Sequence, residues 1–284
     1  MIDLHLHTTF SDGVSETADI IKEAITFGLK AIAITDHDNT GSYAVACKAA
    51  EGSDLEVIPG IEINTVWEAH KQEVHVLGFY IDPYEVNLQR VIQEHRQRRL
   101  EQMDALAKKF QSKGIKITLE DILAQSREEG SVGRPHVARA LMAKGKVATL
   151  SDAFNVYLNR KADTYVSRTT VSPHEAVEAI YDCGGIPVIA HPGEMEHIET
   201  LVEELMDYGL RGLEAYHKSH RPAIIEYHCN LAEKNGLIVT GGTDYHGEAV
   251  GYANALSRLR VPEYVLPRLK MERDRRAKGL FKVS

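Results

Sequence analysis

The sequence holds only three cysteines, Cys47, Cys183 and Cys229, odd in number, widely spaced and never in a CxxC pair. That scarcity excludes a disulfide framework and a zinc–thiolate site, and it predicts small core thiols in a reduced, cytoplasmic protein. No apolar run reaches bilayer-spanning length and no basic-then-apolar leader opens the chain, so no membrane partner is expected. Positive charge is short as well. Against 41 Asp and Glu stand 33 Lys and Arg, and the formal net charge of −8 argues against a duplex-DNA partner. Repeats and low-complexity tracts are absent from the 284 residues, and a hydrophobic content of 43% suffices for a proper core. What the chain has in excess is histidine, with fourteen.

Two of these histidines stand in the most telling segment, Met1-Ile2-Asp3-Leu4-His5-Leu6-His7. Alternate residues of a strand share a face, so Ile2, Leu4 and Leu6 point one way and His5 and His7 the other. Two imidazoles leaving one side of one strand are placed to grip a cation.

Beyond this strand, Ser15 is placed to cap a helix over Ala18, Ile21, Ile25 and Leu29 that ends near Gly28. Strands are expected at Ala31–Thr35, Glu56–Asn64 and Val74–Tyr80, with a helix over Tyr43–Ala50 and a turn at 69–72. This tempo predicts a parallel sheet or barrel. It breaks at Asp82-Pro83, where a long charged helix over Val86–Lys113 begins, followed by short helices starting near Thr118, Pro135 and Ser151. Alternation resumes with helices from Pro173, Ile198 and Pro222 and strands at Ile186–Ala190, Gly212–Tyr216 and Leu237–Thr240. The expected organisation is a barrel of residues 1–82 and 166–284, with 83–165 as an inserted helical subdomain. The basic tail, Val261 to Ser284, reads as a helix packed on the barrel or as a mild RNA-attracting patch, with a solvated helix the first expectation.

Further acidic and histidine clusters fall where strands finish: Asp12, Asp36-His37, Glu62, His191-Pro192 and Asp244-Tyr245-His246, with His75 on the fourth strand. In a parallel α/β barrel these ends gather on one rim, where catalytic groups collect. Imidazole and carboxylate without thiolate suit borderline or hard divalent ions. Nine candidates (His5, His7, Asp12, His37, Glu62, His75, His191, Asp244 and His246) exceed what one ion needs and imply two or three. His70, His95, His174, His197 and His228 lie in polar helical or turn settings and are expected at the surface.

These motifs, in this order and spacing, resemble the polymerase-and-histidinol-phosphatase (PHP) family. The resemblance implies a distorted seven-stranded (β/α)7 barrel, an α/β fold, with a small helical insertion, up to three metal ions and hydrolysis of phosphoesters. Carried over by residue, it places His5, His7, Glu62 and Asp244 on one ion. Glu62 then bridges to a second ion held also by His75 and His191, and Asp12, His37 and His246 hold a third. Many family members have histidine where Asp12 stands, so the third site here should favour a harder ion or bind its ion less tightly. Asp36 is expected behind the ligands, accepting the far N–H of a ligating histidine. Manganese is the first expectation for the metal, with iron, zinc or magnesium as alternatives. Water bridging two such cations loses a proton near neutral pH and becomes a hydroxide nucleophile.

Within the insertion, Gly133-Arg134-Pro135-His136 sets a fork of donors at a helix start, suited to a phosphate group. His217, at the end of the sixth strand, is a further expected substrate contact, with Tyr216 and Arg221 weaker ones. The barrel, insertion and Gly-Arg-Pro-His together resemble the PHP subgroup acting on nucleoside 3′,5′-bisphosphates and the 5′ ends of short RNA. There Arg134 and His136 would clamp the second phosphate or sugar. The alternatives are a histidinol-phosphate phosphatase, which needs an acidic pocket for an ammonium, and a non-catalytic nucleotide-binding module with a decayed site.

Overall fold

The computed structural model describes residues 1–167, 170–247 and 251–279. Its first half runs β1 (Ile2–Asp3), α1 (Thr17–Thr26), β2 (Ala31–Ile34), α2 (Ser42–Ala50), β3 (Glu56–Trp67) and β4 (Gln72–Phe79). Four helices follow: α3 (Val86–Ser112), α4 (Leu119–Leu123), α5 (Arg134–Ala143) and α6 (Leu150–Ala153), the last running into a π-helical turn at Phe154–Leu158. The second half is α7 (Pro173–Asp182), β5 (Ile186–Ile189), α8 (Ile198–Met206), β6 (Gly212–His217), α9 (Pro222–Lys234), β7 (Ile238–Gly242), α10 (Gly251–Arg258) and α11 (Val265–Ala277).

The seven strands lie side by side in chain order, as a distorted and nearly closed barrel. The pairs β1–β2, β2–β3, β5–β6 and β6–β7 are parallel, as expected. β4 departs from that expectation and runs antiparallel to both neighbours. The cause is the short turn between Trp67 and Gln72, which face each other across the hairpin. Parallel pairing requires a crossover of a dozen or more residues, which four cannot supply. The barrel is mixed for this reason, and His75 enters the site from the first half of its strand instead of its end.

Between β7 and β1 lies a seam. Backbone hydrogen bonds cross it from Leu4 N–H to Gly241 O (3.3 Å), from Asp244 N–H to His5 O (2.8 Å) and from His7 N–H to Tyr245 O (2.9 Å). The two backbones approach so closely that a Cβ on Gly242 would sit 2.3 Å from the His5 nitrogen. Only glycine fits there.

Local signals account for most helix ends. Ser172 and Glu175 close a capping box at α7, with Pro173 in the first turn, and Thr118–Asp121 and Thr149–Asp152 do the same for α4 and α6. The helix expected to open at Ser151 therefore starts one residue earlier, behind Thr149. Ser15 does not cap α1; Glu16 holds that position, and the Ser15 hydroxyl lies 3.3 Å from the Tyr245 hydroxyl. The tail helix α11 buries Val265, Leu266 and Leu269 in one cluster with Ile2, Leu4 and Ile58, which is the packed-helix reading of the tail, while residues 280–284 lie outside the described residues. Leu88 and Ile92 at the start of α3 join the barrel cluster of Val177 and Ile180, whereas Met103, Leu106 and Phe110 pack with Val137 and Leu141 of the insertion. One helix thus spans two cores.

Candidate metal centre

The strand alternation at the N-terminus does what its pattern implies. Leu6 is fully buried in the core, and on the opposite face the Nε2 atoms of His5 and His7 lie 3.1 Å apart. Both nitrogens converge on Glu62 Oε2, at 3.4 and 3.2 Å, and on Asp244 Oδ1, at 3.4 and 3.3 Å. Glu62 is the hub. Its Oε1 lies 2.9 Å from His75 Nδ1 and 3.0 Å from His191 Nε2, and its Oε2 lies 2.8 Å from His37 Nδ1. Asp12 stands 3.6 Å from His37 Nε2 and 3.3 Å from His246 Nε2. The structure brings together all nine residues singled out as candidate ligands. Among the described residues they form four overlapping groups with metal-binding spacing: His7-Asp12-His37-His246, His5-His7-Asp244, His5-Glu62-His191 and His37-Glu62-His75.

These atoms meet without satisfying one another. Glu62 Oε2, His37 Nδ1 and Asp12 Oδ1 are buried and lack a hydrogen-bond partner, although the first two are only 2.8 Å apart. Buried polar atoms are normally paired, and a cation would satisfy several donor atoms that converge in this way. Charge distribution supports the same conclusion. Burial pushes the Glu62 carboxyl up, but His37, His5 and His75 more than offset it and hold it well below the usual carboxylate range. Asp12 and Asp244 are held low in the same manner, against burial, by the imidazoles around them. His7, despite burial, is pushed up to about 10 by the Asp244 and Glu62 carboxylates beside it. His37, in the same cluster, is pushed the other way, down to about 4, chiefly by burial. A divalent cation would compete with protons for all of these ring nitrogens and carboxylates.

Supporting groups fix the candidate ligands. His5 Nδ1–H donates to Glu214, 3.0 Å from Oε1, which leaves the Nε2 lone pair for the cluster. Glu214 Oε2 also accepts the His191 N–H at 2.8 Å. Asp36 accepts from Thr8 N–H (2.7 Å), Thr8 Oγ1 (2.8 Å) and Ser11 Oγ (2.6 Å), and Ser11 Oγ lies 3.4 Å from His7 Nδ1. It therefore reaches a candidate ligand through a hydroxyl. His191 and Asp244 have positive φ, 23° and 48°, a strained backbone that costs about 1–3 kcal/mol per residue and collects at functional sites.

Arg134 lies beside the cluster, with Nη2 2.9 Å from Glu73 Oε2. It helps line a cavity of about 120 Å³ whose wall includes Asp12, His37, His75, Asn64 and Arg99. His136 is buried, its Nδ1 accepts the Gly133 N–H at 3.0 Å, and burial pushes it down to about 4. His217 is buried at the rim, with Nε2 3.3 Å from Asp244 Oδ2 and Nδ1 2.7 Å from Ser219 Oγ.

Some of the site is not visible from motif spacing. Glu214 is a fully buried carboxylate between Leu213 and Ala215, and a charge inside an apolar strand run is the signal it leaves. Arg99 donates through Nε to Asp38 Oδ2 (2.6 Å), through Nη1 to Val132 O (3.1 Å) and through Nη2 to Asn64 Oδ1. Breaking a buried ion pair of this kind by removing one partner costs about 3–5 kcal/mol. His95 and His228, expected at the surface, are buried instead: His95 Nδ1 is 3.2 Å from Asp38 Oδ1, and His228 Nε2 is 2.8 Å from Gly193 O.

The seven-stranded barrel and its clustered carboxylates and imidazoles define a multinuclear metal centre, and with the family match the protein is a metal-dependent phosphoesterase. The chain belongs to the PHP family: the model of the PHP domain matches residues 3–159. It is similar to the 3′,5′-nucleoside bisphosphate phosphatase of Chromobacterium violaceum, 32% identical over 254 residues and 88% of each chain. Similarity to the 5′-3′ exoribonuclease Rnm of Salmonella typhimurium is 32% over 250 residues, 86% of this chain and 84% of that one. A crystal structure from Bifidobacterium adolescentis, described as a metal-dependent phosphoesterase, superposes with a TM-score of 0.85 at 32% identity, covering 94% of both chains.

Proposed function

We propose that the chain removes phosphate from nucleotides, with nucleoside 3′,5′-bisphosphates as the main substrates and the 5′ ends of short RNA as the extended ones. In this reading His5, His7, Glu62 and Asp244 hold one ion. Glu62, His75 and His191 hold a second, and Asp12, His37 and His246 a third. Bound there, the ions supply Lewis-acid charge and an activated water at neutral pH. Manganese suits this thiolate-free set, and three free cysteines suit a reducing cytoplasm. Residues 1–82 and 166–284 act as the metal-binding barrel, and 83–165 as the specificity subdomain.

Arg134 is the observation that carries the substrate reading. A guanidinium on the wall of a cavity shared with Asp12, His37 and His75 is placed to hold a second phosphate while the first lies at the ions. His136 sets the turn that presents it, and His217 contacts the substrate side of Asp244. Glu73, the acidic group an ammonium substrate would need, is taken up by Arg134. The relatives named for bisphosphates and RNA ends support the same choice. A panel with added manganese tests it, using a nucleoside 3′,5′-bisphosphate, a 5′-phosphorylated oligoribonucleotide, histidinol phosphate and a cyclic diester. The bisphosphate is expected to have the highest kcat/KM, and a higher value for histidinol phosphate overturns the reading.

Glu214 gives a second check. His5 Nδ1 lies 3.0 and 3.1 Å from its two oxygens, and Oε2 also accepts the His191 backbone N–H, so in either orientation a glutamine NH2 group faces a donor. Glu214→Gln is expected to weaken manganese binding about 10–100-fold, measured by calorimetric titration.

A further inference from the structure

His191 is followed by Pro192 and Gly193, and both His191 and Gly193 have positive φ, 23° and 56°. Glycine adopts its angle freely, but the one at His191 persists only where its surroundings fix it. Two buried imidazoles grip the Gly193 residue from either side. His220 Nε2 accepts the Gly193 N–H at 3.0 Å, while its Nδ1–H donates to Ala215 O at 2.8 Å. His228 Nε2–H donates to Gly193 O at 2.8 Å. The tautomers are consistent, since each histidine offers a lone pair or a proton where the backbone needs it. His228 is fully buried, and its Nδ1 has no hydrogen-bond partner. An apolar ring would pack there without leaving a nitrogen unpaired, so the contact with Gly193 is what the imidazole adds. The segment carrying His220 also braces the opposite wall of the site, through His217 Nε2 at 3.3 Å from Asp244 Oδ2 and Lys218 Nζ on Asp244 O.

We propose that His220 and His228 are positioning residues for the metal centre, a two-sided clamp that holds the strained turn and thereby aims the His191 ring at Glu62. The proposal rests on the reading of His191 as a ligand. Neither histidine touches the cluster of candidate ligands on Glu62, and both act through the backbone after His191. The clamp belongs to β6, α9 and the segment joining them, so this unit sets the affinity of the ion that His191 shares.

Manganese titration of the full chain, followed by calorimetry and by metal analysis after gel filtration, tests the clamp. His220→Phe and His228→Phe keep a ring of similar size and remove the hydrogen bonds. Each is expected to weaken one class of manganese site about 10–100-fold while the remaining ions bind as in the parent. His220→Gln keeps an acceptor for Gly193 and a donor for Ala215, and it is expected to restore the parent affinity. The two phenylalanine variants lie on different elements, so failure of one to fold leaves the other informative. Parent-like binding by a folded phenylalanine variant overturns the clamp. So does a glutamine variant as weak as phenylalanine, because the loss is then one of packing. A parent chain that binds no manganese would instead sink the functional reading, a separate outcome.

Discussion

Glu62→Gln is expected to abolish turnover and strip manganese from the protein together. Its two carboxylate oxygens reach five of the other candidate ligands: one faces His75 and His191, the other His5, His7 and His37. Glutamine fills the same volume, but it is neutral and offers a single acceptor oxygen, so one of the two faces meets an NH2 group. The protein would keep its fold and lose the charge that balances the cations. With several kcal/mol of transition-state stabilisation resting on the ions, turnover should fall by about 10³-fold or more. Bound manganese and the rate of p-nitrophenyl phosphate hydrolysis are measured on the same sample. A variant that is free of metal and still turns over at the parent rate would refute the metal mechanism.

Arg134→Ala should show a different pattern, in KM more than in kcat. Arg134 stands on the cavity wall and not among the ligands on Glu62, and its present partner is Glu73. Burial pushes the Glu73 carboxyl up, but Arg134 and His75 hold it below the usual range, so the ion pair stays intact at neutral pH. Hydrogen bonds to a charged group contribute about 1.5–3 kcal/mol, which corresponds to about 10–100-fold in KM for a nucleoside 3′,5′-bisphosphate. p-Nitrophenyl phosphate has no second phosphate, and its KM should change less than about threefold. Equal shifts for the two substrates would remove Arg134 from the clamp.

The parts of the site legible in the sequence are those where local pattern fixes geometry. His5 and His7 share a face because strands alternate, and Asp12, His37, His191, Asp244 and His246 follow apolar runs that become strands. Strand direction is not written in periodicity, so β4 reads as one more parallel strand until the short hairpin turn decides otherwise. Glu62 likewise lies mid-strand, because β3 continues to Trp67. Partners distant in sequence are harder still. His95 and Arg99 fall on the spacing of Leu88, Ile92, Met103, Leu106 and Phe110, the buried stripe of α3. The many charges on the other faces of that helix hide them, and Asp38 lies 61 residues before Arg99. The roles of Glu214, His220 and His228 are hidden for the same reason, since what they hold is backbone or a candidate ligand from another element, and the one local signal is the buried charge of Glu214 in an apolar strand.

The seam between β7 and β1 has a kinetic side. His5 and His7 lie on one edge of it and Asp244 and His246 on the other, so any ion they share staples the two ends of the barrel across some 240 residues of chain. Contacts of such long sequence separation form late in folding, after local hairpins and helix–strand units. Stabilisation added late acts on escape from the native state and hardly on entry to it. Metal ions at this seam would therefore lengthen the lifetime of the folded barrel while leaving the rate at which it first forms nearly unchanged.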